Sequence, residues 1–220
     1  MEIIDLSFPI HNGMSTYPAY WHPLAEINQL GRIPIEGRES RKLLLGTHTG
    51  THVDAPSHFI ENGMSIDKVS LETFVGDALI ISLDDSLILE EISLKKIEQK
   101  INNRFAERLI LRYGWSKYWG SLNYYQNHPH LSKEAARFLV ESGFKLIGMD
   151  TPQADNPKNC KGSKEDSPIH KILLGAGIIK LEYMNNLDLL EEGFFKLISL
   201  PLNILGADGS PVRCVGIQNG

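Results

Sequence analysis

Between Gly46 and Phe59 the chain reads Gly-Thr-His-Thr-Gly-Thr-His-Val-Asp-Ala-Pro-Ser-His-Phe, and this stretch constrains the fold more than any other. His48, His52, Asp54 and His58 place four metal-binding or proton-transferring groups within eleven residues, using three of the chain's eight histidines. A helix is disfavoured, because Gly50 and Pro56 interrupt it and Thr47, Thr49, Thr51 and Val53 are β-branched. An extended chain suits the even spacing, which would put all four groups on one face of a strand. A straight strand, however, holds His48 and His52 roughly 13 Å apart, at about 3.3 Å per residue. Two imidazoles bound to one ion at about 2.0–2.1 Å must approach more closely than that. A bend or bulge at Gly50-Thr51 is therefore expected, with the imidazoles and the carboxylate turned inward.

Taken singly, a histidine among threonines reads as a hydrogen-bonded loop residue, and an aspartate before Ala-Pro as a turn former. The four together read as a metal site. Nitrogen and oxygen donors without cysteine suit Zn, Mn or Fe in a catalytic centre better than a thiolate-rich structural one.

The segment from His48 to Phe59 resembles the signature of the metal-dependent cyclase/hydrolase family that includes bacterial kynurenine formamidase and isatin hydrolase. Further stretches resemble landmarks of that family in the same order: Trp115–Trp119, Asp150–Asp155, His170 followed by Glu182, and Ala207–Arg213. The resemblance spans nearly the whole chain and implies a swivelling β/β/α fold. It also implies that His48, His52 and Asp54 are metal ligands, with Asp54 bridging to a second ion held by His170 and Glu182. Two divalent ions per chain, Zn or Mn, are the expectation. Without the resemblance, His170 and Glu182 would read as solvated polar residues. Glu182 does lie opposite the apolar Ile179, Leu181 and Tyr183 on a strand.

Two divalent ions on a shared carboxylate would polarise a carbonyl and generate hydroxide near neutral pH. A proton carrier for the leaving nitrogen is then needed, and His58 is the best placed, with an ordinary pKa near 6.5. A ligand or outer-sphere role is the alternative for His58; the resemblance favours acid/base catalysis. One departure bears on substrate. Kynurenine formamidases of this family carry Trp-Pro-Gly-Asp in the N-terminal loop, where the tryptophan contacts substrate; here the stretch is Tyr17-Pro-Ala-Tyr20. Tyr17 still offers a ring for stacking.

With 220 residues, 42% of them apolar, the chain suits one well-filled domain over residues 1–220. A net charge of −5 with no basic run argues against nucleic acid as partner. No apolar run approaches the roughly 20 residues of a membrane span. The N-terminus lacks a basic secretory start, and Cys160 and Cys214 read as free thiols, so a cytoplasmic setting is expected.

Strands are predicted over 2–8, 41–45, 77–83, 107–113, 144–150, 178–184, 195–200 and 212–217. Helices are predicted after Ser93, after Ser132 and after Ser167-Pro168. Residues 14–40 read as a long aromatic binding loop. The pattern gives a single mixed α/β (α+β) domain. His11, His22, His128 and His130 read as surface groups, Asp150 and Asp155 as loop formers, Arg213 as an internal ion-pair partner, and Trp115 and Trp119 as core. Ser57 lacks a nucleophile's context.

The resulting expectation is a metal-dependent hydrolase of a small amide C–N bond, arylformamidase-like, working as a homodimer or homotetramer. Alternatives are a lactam-opening hydrolase, a non-hydrolytic cyclase or dehydratase, and a non-catalytic metal- or metabolite-binding protein.

Overall fold

The computed structural model describes residues 1–218. Its strands are β1 (Glu2–Asp5), β2 (Glu26–Gly31), β3 (Ser40–Leu44), β4 (His52–Asp54), β5 (Val75–Ser82), β6 (Glu91–Ile92), β7 (Arg108–Arg112), β8 (His130–Leu131), β9 (Leu146–Met149), β10 (Ile179–Glu182), β11 (Gly193–Ile198), β12 (Gly209–Pro211) and β13 (Val215–Gln218). The helices are α1 (Ile33–Glu36), α2 (Leu94–Ile101), α3 (Leu122–Gln126), α4 (Lys133–Glu141) and α5 (Pro168–Gly175).

Nine strands form one curled sheet in the order β1-β13-β11-β5-β7-β9-β10-β4-β12. The middle four, β5, β7, β9 and β10, run parallel, and the outer pairings are antiparallel. Parallel neighbours need a crossover, and α2, α4 and α5 supply the three that are required. The domain is thus mixed α/β, with βαβ units at its centre.

Strand alternation divides the core in two. Leu79, Ile81, Leu109, Leu111, Ile147 and Met149 point to the helices and pack with Ile97, Leu139 and Leu173. Ala78, Ile80, Ile110, Ile179 and Leu181 point the other way and meet Ile4, Val53, Phe195 and Leu197 inside the curl. The continuous apolar runs of the central strands follow from burial on both faces.

Ser93 and Ser132 cap α2 and α4 as the sequence suggests, accepting from the amides of Lys96 and Ala135. Ser167 does not cap α5. It is left-handed (φ 46°) and makes no side-chain cap bond. The Asp155 carboxylate takes the role instead, accepting from the amides of Ile169 (2.6 Å) and His170 (3.0 Å). Residues 14–40 are also not simply a loop. Their second half is β2, which pairs with β3 in an exposed hairpin closed through α1. Sparse burial hid the pairing from periodicity, since the hairpin covers no core face.

Trp115 is buried as expected; Trp119 is only partly so and stacks on Phe8 at 4.2 Å. Arg213 forms its ion pair with Asp5 at the surface rather than internally. Cys160 and Cys214 are unpaired. Among the described residues no helix is long and apolar enough to cross a membrane.

His128 and His130 are buried rather than at the surface, which sequence polarity alone does not reveal. His128 donates from Nδ1 to the Pro129 carbonyl, and its Nε2 has no partner among the described residues. Burial depresses its pKa to about 4. Between about pH 6.5 and 4 the unfolded chain therefore binds a proton that the folded protein refuses, and stability falls as pH falls through that window. His128→Gln should lessen the loss between about pH 7 and 4.5 by about 2–3 kcal/mol. Urea unfolding of both proteins at the two pH values measures the effect, and parallel losses would refute it.

Candidate metal centre and active site

The site is assembled on three adjacent strands at one end of the sheet. In β4, Val53 points into the curl while His52 and Asp54 point to the face covered by α5. Cross-strand register sets Glu182 opposite His52 and Lys180 opposite Asp54; on the other side β12 places Pro211 and Gly209 against the same two residues. Cross-strand neighbours lie close enough for their side chains to meet.

The expected bend is present. Gly50 is left-handed (φ 62°), and the turn folds His48 back until its ring lies 4.9 Å from that of His52. Gly209 permits the close fit, because a Cβ there would lie 2.6 Å from the Val53 carbonyl and 3.0 Å from His48 Cε1. His48 Nδ1 lies 2.8 Å from Asp54 Oδ1, and His52 Nε2 lies 3.3 Å from the same oxygen. His52 donates its Nδ1–H to the Gly50 carbonyl at 2.8 Å, which leaves Nε2 facing the site. His58 follows on the short 3-10 turn Pro56–His58.

Asp208, which the sequence reading did not single out, ties this half together. Its Oδ2 lies 2.9 Å from His58 Nδ1 and 2.8 Å from His48 Nε2. The available signal was its place in the Ala207–Arg213 stretch.

The other half comes from α5 and β10. Asp155 Oδ2 holds His170 Nδ1 at 2.5 Å, so His170 Nε2 faces Asp54 Oδ2 (3.6 Å) and Glu182 Oε1 (3.5 Å). Glu182 Oε2 reaches within 3.7 Å of His52 Nε2. Asp155 is thus more than a loop former, since it both caps the helix and orients its histidine. Asp150 does serve loop structure, accepting from the amides of Tyr113 and Trp115. The unforeseen member is Lys180, which is fully buried. Its ammonium bonds Glu182 Oε1 and His170 Nε2 and lies 3.6 Å from Asp54 Oδ2.

The charges are strongly coupled. Burial opposes the imidazolium of His48, yet the carboxylates of Asp54 and Asp208 outweigh it and raise the ring to about 10. Burial also opposes ionisation of Asp54 and Asp208, and the surrounding imidazoles hold both below the ordinary carboxylate range. His58 is lowered, with burial the largest cause. Burial and the three neighbouring histidines lower His22 to about 4.

Five residues expected from the sequence, namely His48, His52, His58, His170 and Glu182, therefore gather around a sixth, the buried carboxylate of Asp54. Asp54 Oδ2 has no hydrogen-bond partner among the described residues. A buried carboxylate oxygen without a donor is costly unless a cation faces it, and the cation facing this one is the Lys180 ammonium at 3.6 Å. Two sets of donor atoms lie within 4.8 Å of one another: His48, Asp54 and His58, and His52, Asp54 and Glu182. On the Oδ1 side of Asp54, His48 Nδ1 and His52 Nε2 would join that oxygen around a divalent ion of the Zn or Mn type, with the ion displacing the proton His48 shares with Asp54.

The cluster opens into a cavity of ≈ 440 Å³, large enough for a small aromatic molecule. Tyr17, Trp21, His22, Phe59 and Tyr183 give it aromatic walls, and His58 lines it beside His48. Tyr17 packs edge-on against Tyr125 and His22. His22 is therefore a pocket residue, while His11 is exposed as expected.

Residues 4–156 match the family model Cyclase, described as "Putative cyclase". A kynurenine formamidase of Bacillus thuringiensis subsp. konkukian (strain 97-27) is 36% identical over 219 residues, covering 97% of this chain and 96% of the relative. A kynurenine formamidase of Bacillus cytotoxicus is 34% identical with the same coverage. Among solved structures, isatin hydrolase A from Labrenzia aggregata bound to benzyl benzoate superposes with a TM-score of 0.89 at 27% identity, covering 100% of this chain and 94% of that one.

Proposed function

This chain belongs to the Cyclase family, and from that premise we propose how it works on a substrate. It is a metal-dependent hydrolase of non-peptide amide C–N bonds. We take the substrate to be an N-formylated aromatic amine, with N-formylkynurenine the first candidate and tryptophan catabolism its setting. The observation that carries this reading is the opening of the histidine–carboxylate cluster into an aromatic-walled cavity beside His58.

His48, His52 and Asp54 would hold the ion, which when bound acidifies water and polarises an amide carbonyl. The chain's own residues do the rest. The aromatic walls, Tyr17 among them, orient the substrate ring with its formyl group toward His58. Asp208 accepts from His58 Nδ1, so Nε2 is the free base. His58 takes a proton from the attacking water and returns it to the leaving nitrogen. Water's oxygen ends on the carbonyl carbon, the C–N bond breaks, and the free amine leaves with formic acid, which gives its proton to solvent as formate.

Protein loaded with Zn or Mn should hydrolyse N-formylkynurenine, with product mass showing water added across the amide. Turnover of isatin but not of the formamide would move the substrate to lactams, a reading supported by the 27% identical isatin hydrolase. A product formed without water would replace hydrolysis by cyclisation or dehydration. Failure of turnover in protein shown to hold its ion would remove the formamide and leave the centre in place.

The protein is further proposed to be a homo-oligomer, dimer or tetramer, in the reducing cytoplasm that suits its unpaired cysteines. The hairpin exposes Leu30, Ile33, Ile35 and Leu43, an apolar surface that a second copy would cover. Light scattering should give at least twice the monomer mass, and Leu30→Glu with Leu43→Glu should return it toward the monomer. A wild-type monomer would refute the assembly.

A further inference from the structure

The two oxygens of Asp54 face different partners, and the difference decides how many ions the centre takes. Oδ1 looks toward His48 and His52 at 2.8 and 3.3 Å. Oδ2 looks toward His170 Nε2 and Lys180 Nζ, each at 3.6 Å. The donor set for a second ion on that side would be Asp54 Oδ2, Glu182 Oε1 and His170 Nε2, whose ring is turned for the purpose by Asp155. Those same three atoms surround the ammonium of Lys180.

We propose that Lys180 is a built-in cation standing in for a second metal ion, so that each chain binds one divalent ion, on the Oδ1 side of Asp54. The inference rests on the reading of the protein as a metal-dependent hydrolase and replaces the expectation of two ions.

Lys180 has no means of making room. Its backbone lies in an interior strand of the sheet, with Ile147 of β9 on one side and Asp54 of β4 on the other. The strand's two-residue period points its side chain to the same face as Glu182, beneath α5. The residue has no exposed surface, so its stem cannot extend to solvent as surface lysines do. Two-metal centres hold their ions about 3.5–4 Å apart around a shared carboxylate. An ammonium among the three outer donors fills the place of one of them. It supplies a positive charge to two buried carboxylates and hydrogen to an imidazole nitrogen, as a buried site of this charge requires.

The test is metal stoichiometry, read without any substrate. Wild type and Lys180→Leu are equilibrated with excess Zn, passed through gel filtration, and analysed by elemental analysis and native mass spectrometry. Wild type should carry one ion per chain and Lys180→Leu two. With Mn, the wild-type electron paramagnetic spectrum should be that of an isolated ion, and that of the variant an exchange-coupled pair.

Two ions in wild type would overturn the proposal, as would one ion in a folded Lys180→Leu protein. Should Lys180→Leu not fold, His170→Asn in the wild-type background decides, since it should keep its single ion; loss of that ion would make His170 a ligand and overturn the assignment. Wild type without any ion would overturn both this inference and the metal-dependent reading. One ion without formamide turnover would touch only the substrate.

Discussion

Asp54→Asn should leave the protein without its ion and without activity, and less stable as well. Asp54 is fully buried and lies within 2.8–3.6 Å of His48, His52, His170 and Lys180. The amide keeps the shape of the carboxylate and removes its charge. Loss of an outer-sphere partner costs metal affinity roughly 10–100-fold, and loss of a carboxylate ligand itself should cost more. The stability loss has a separate origin. A buried positive group deprived of its partner costs about 3–5 kcal/mol, because it stays desolvated without compensation. Elemental analysis of the Zn-equilibrated variant and its urea midpoint without metal measure the two effects independently. A variant that retained a stoichiometric ion would remove Asp54 from the ligand set.

His58→Ala should act on turnover alone. A positioned acid/base group contributes about 10²–10⁴-fold, and kcat should fall by that factor while the ion is retained. The distinction matters because His58 also belongs to a set of donors, with His48 and Asp54, close enough to bind an ion. If His58 were a ligand, metal content and kcat would fall together. Asp208→Asn provides a graded companion. It keeps a side chain beside His58 Nδ1 but loses the charge that favours the Nδ1–H form, so kcat should fall less than in His58→Ala and its pH profile should shift. An unchanged pH profile would make Asp208 merely structural.

The sequence was informative where its signals were local. The bend at Gly50 follows from a conflict between strand rise and metal–ligand distance, and that conflict is resolved within five residues. Ser93, Ser132 and the apolar runs of β5, β7 and β9 carry their structure in their immediate neighbours. Where the physics is long-range, local sequence carries no trace of it. Asp208 is ordinary in its own segment and acquires meaning only because β12 pairs with β4. Lys180 alternates with apolar residues as a solvated strand lysine does; only the packing of α5 over that face makes it a buried cation. Ser167 is the natural cap for α5 by sequence, yet Asp155, twelve residues earlier, reaches the two buried amides at the start of the helix. The β2–β3 hairpin left no periodic trace because neither of its faces is sealed against the core.

The strand pairing around β4 also governs when the protein can acquire its ion. β4 is made early in synthesis, but the strands on either side of it, β10 and β12, are made more than a hundred residues later. Until then Asp54 lacks a covered face, and His48 lacks the Gly209 and Asp208 that fix it. Loops of that length close late, after local structure has formed. A zinc finger gathers its ligands from nearby sequence, and the ion organises the fold. Here the order is reversed: the growing chain on the ribosome has no pocket to fill, and metal loading falls to the finished domain. Availability of the ion should then limit how much enzyme is active far more than how much of it folds.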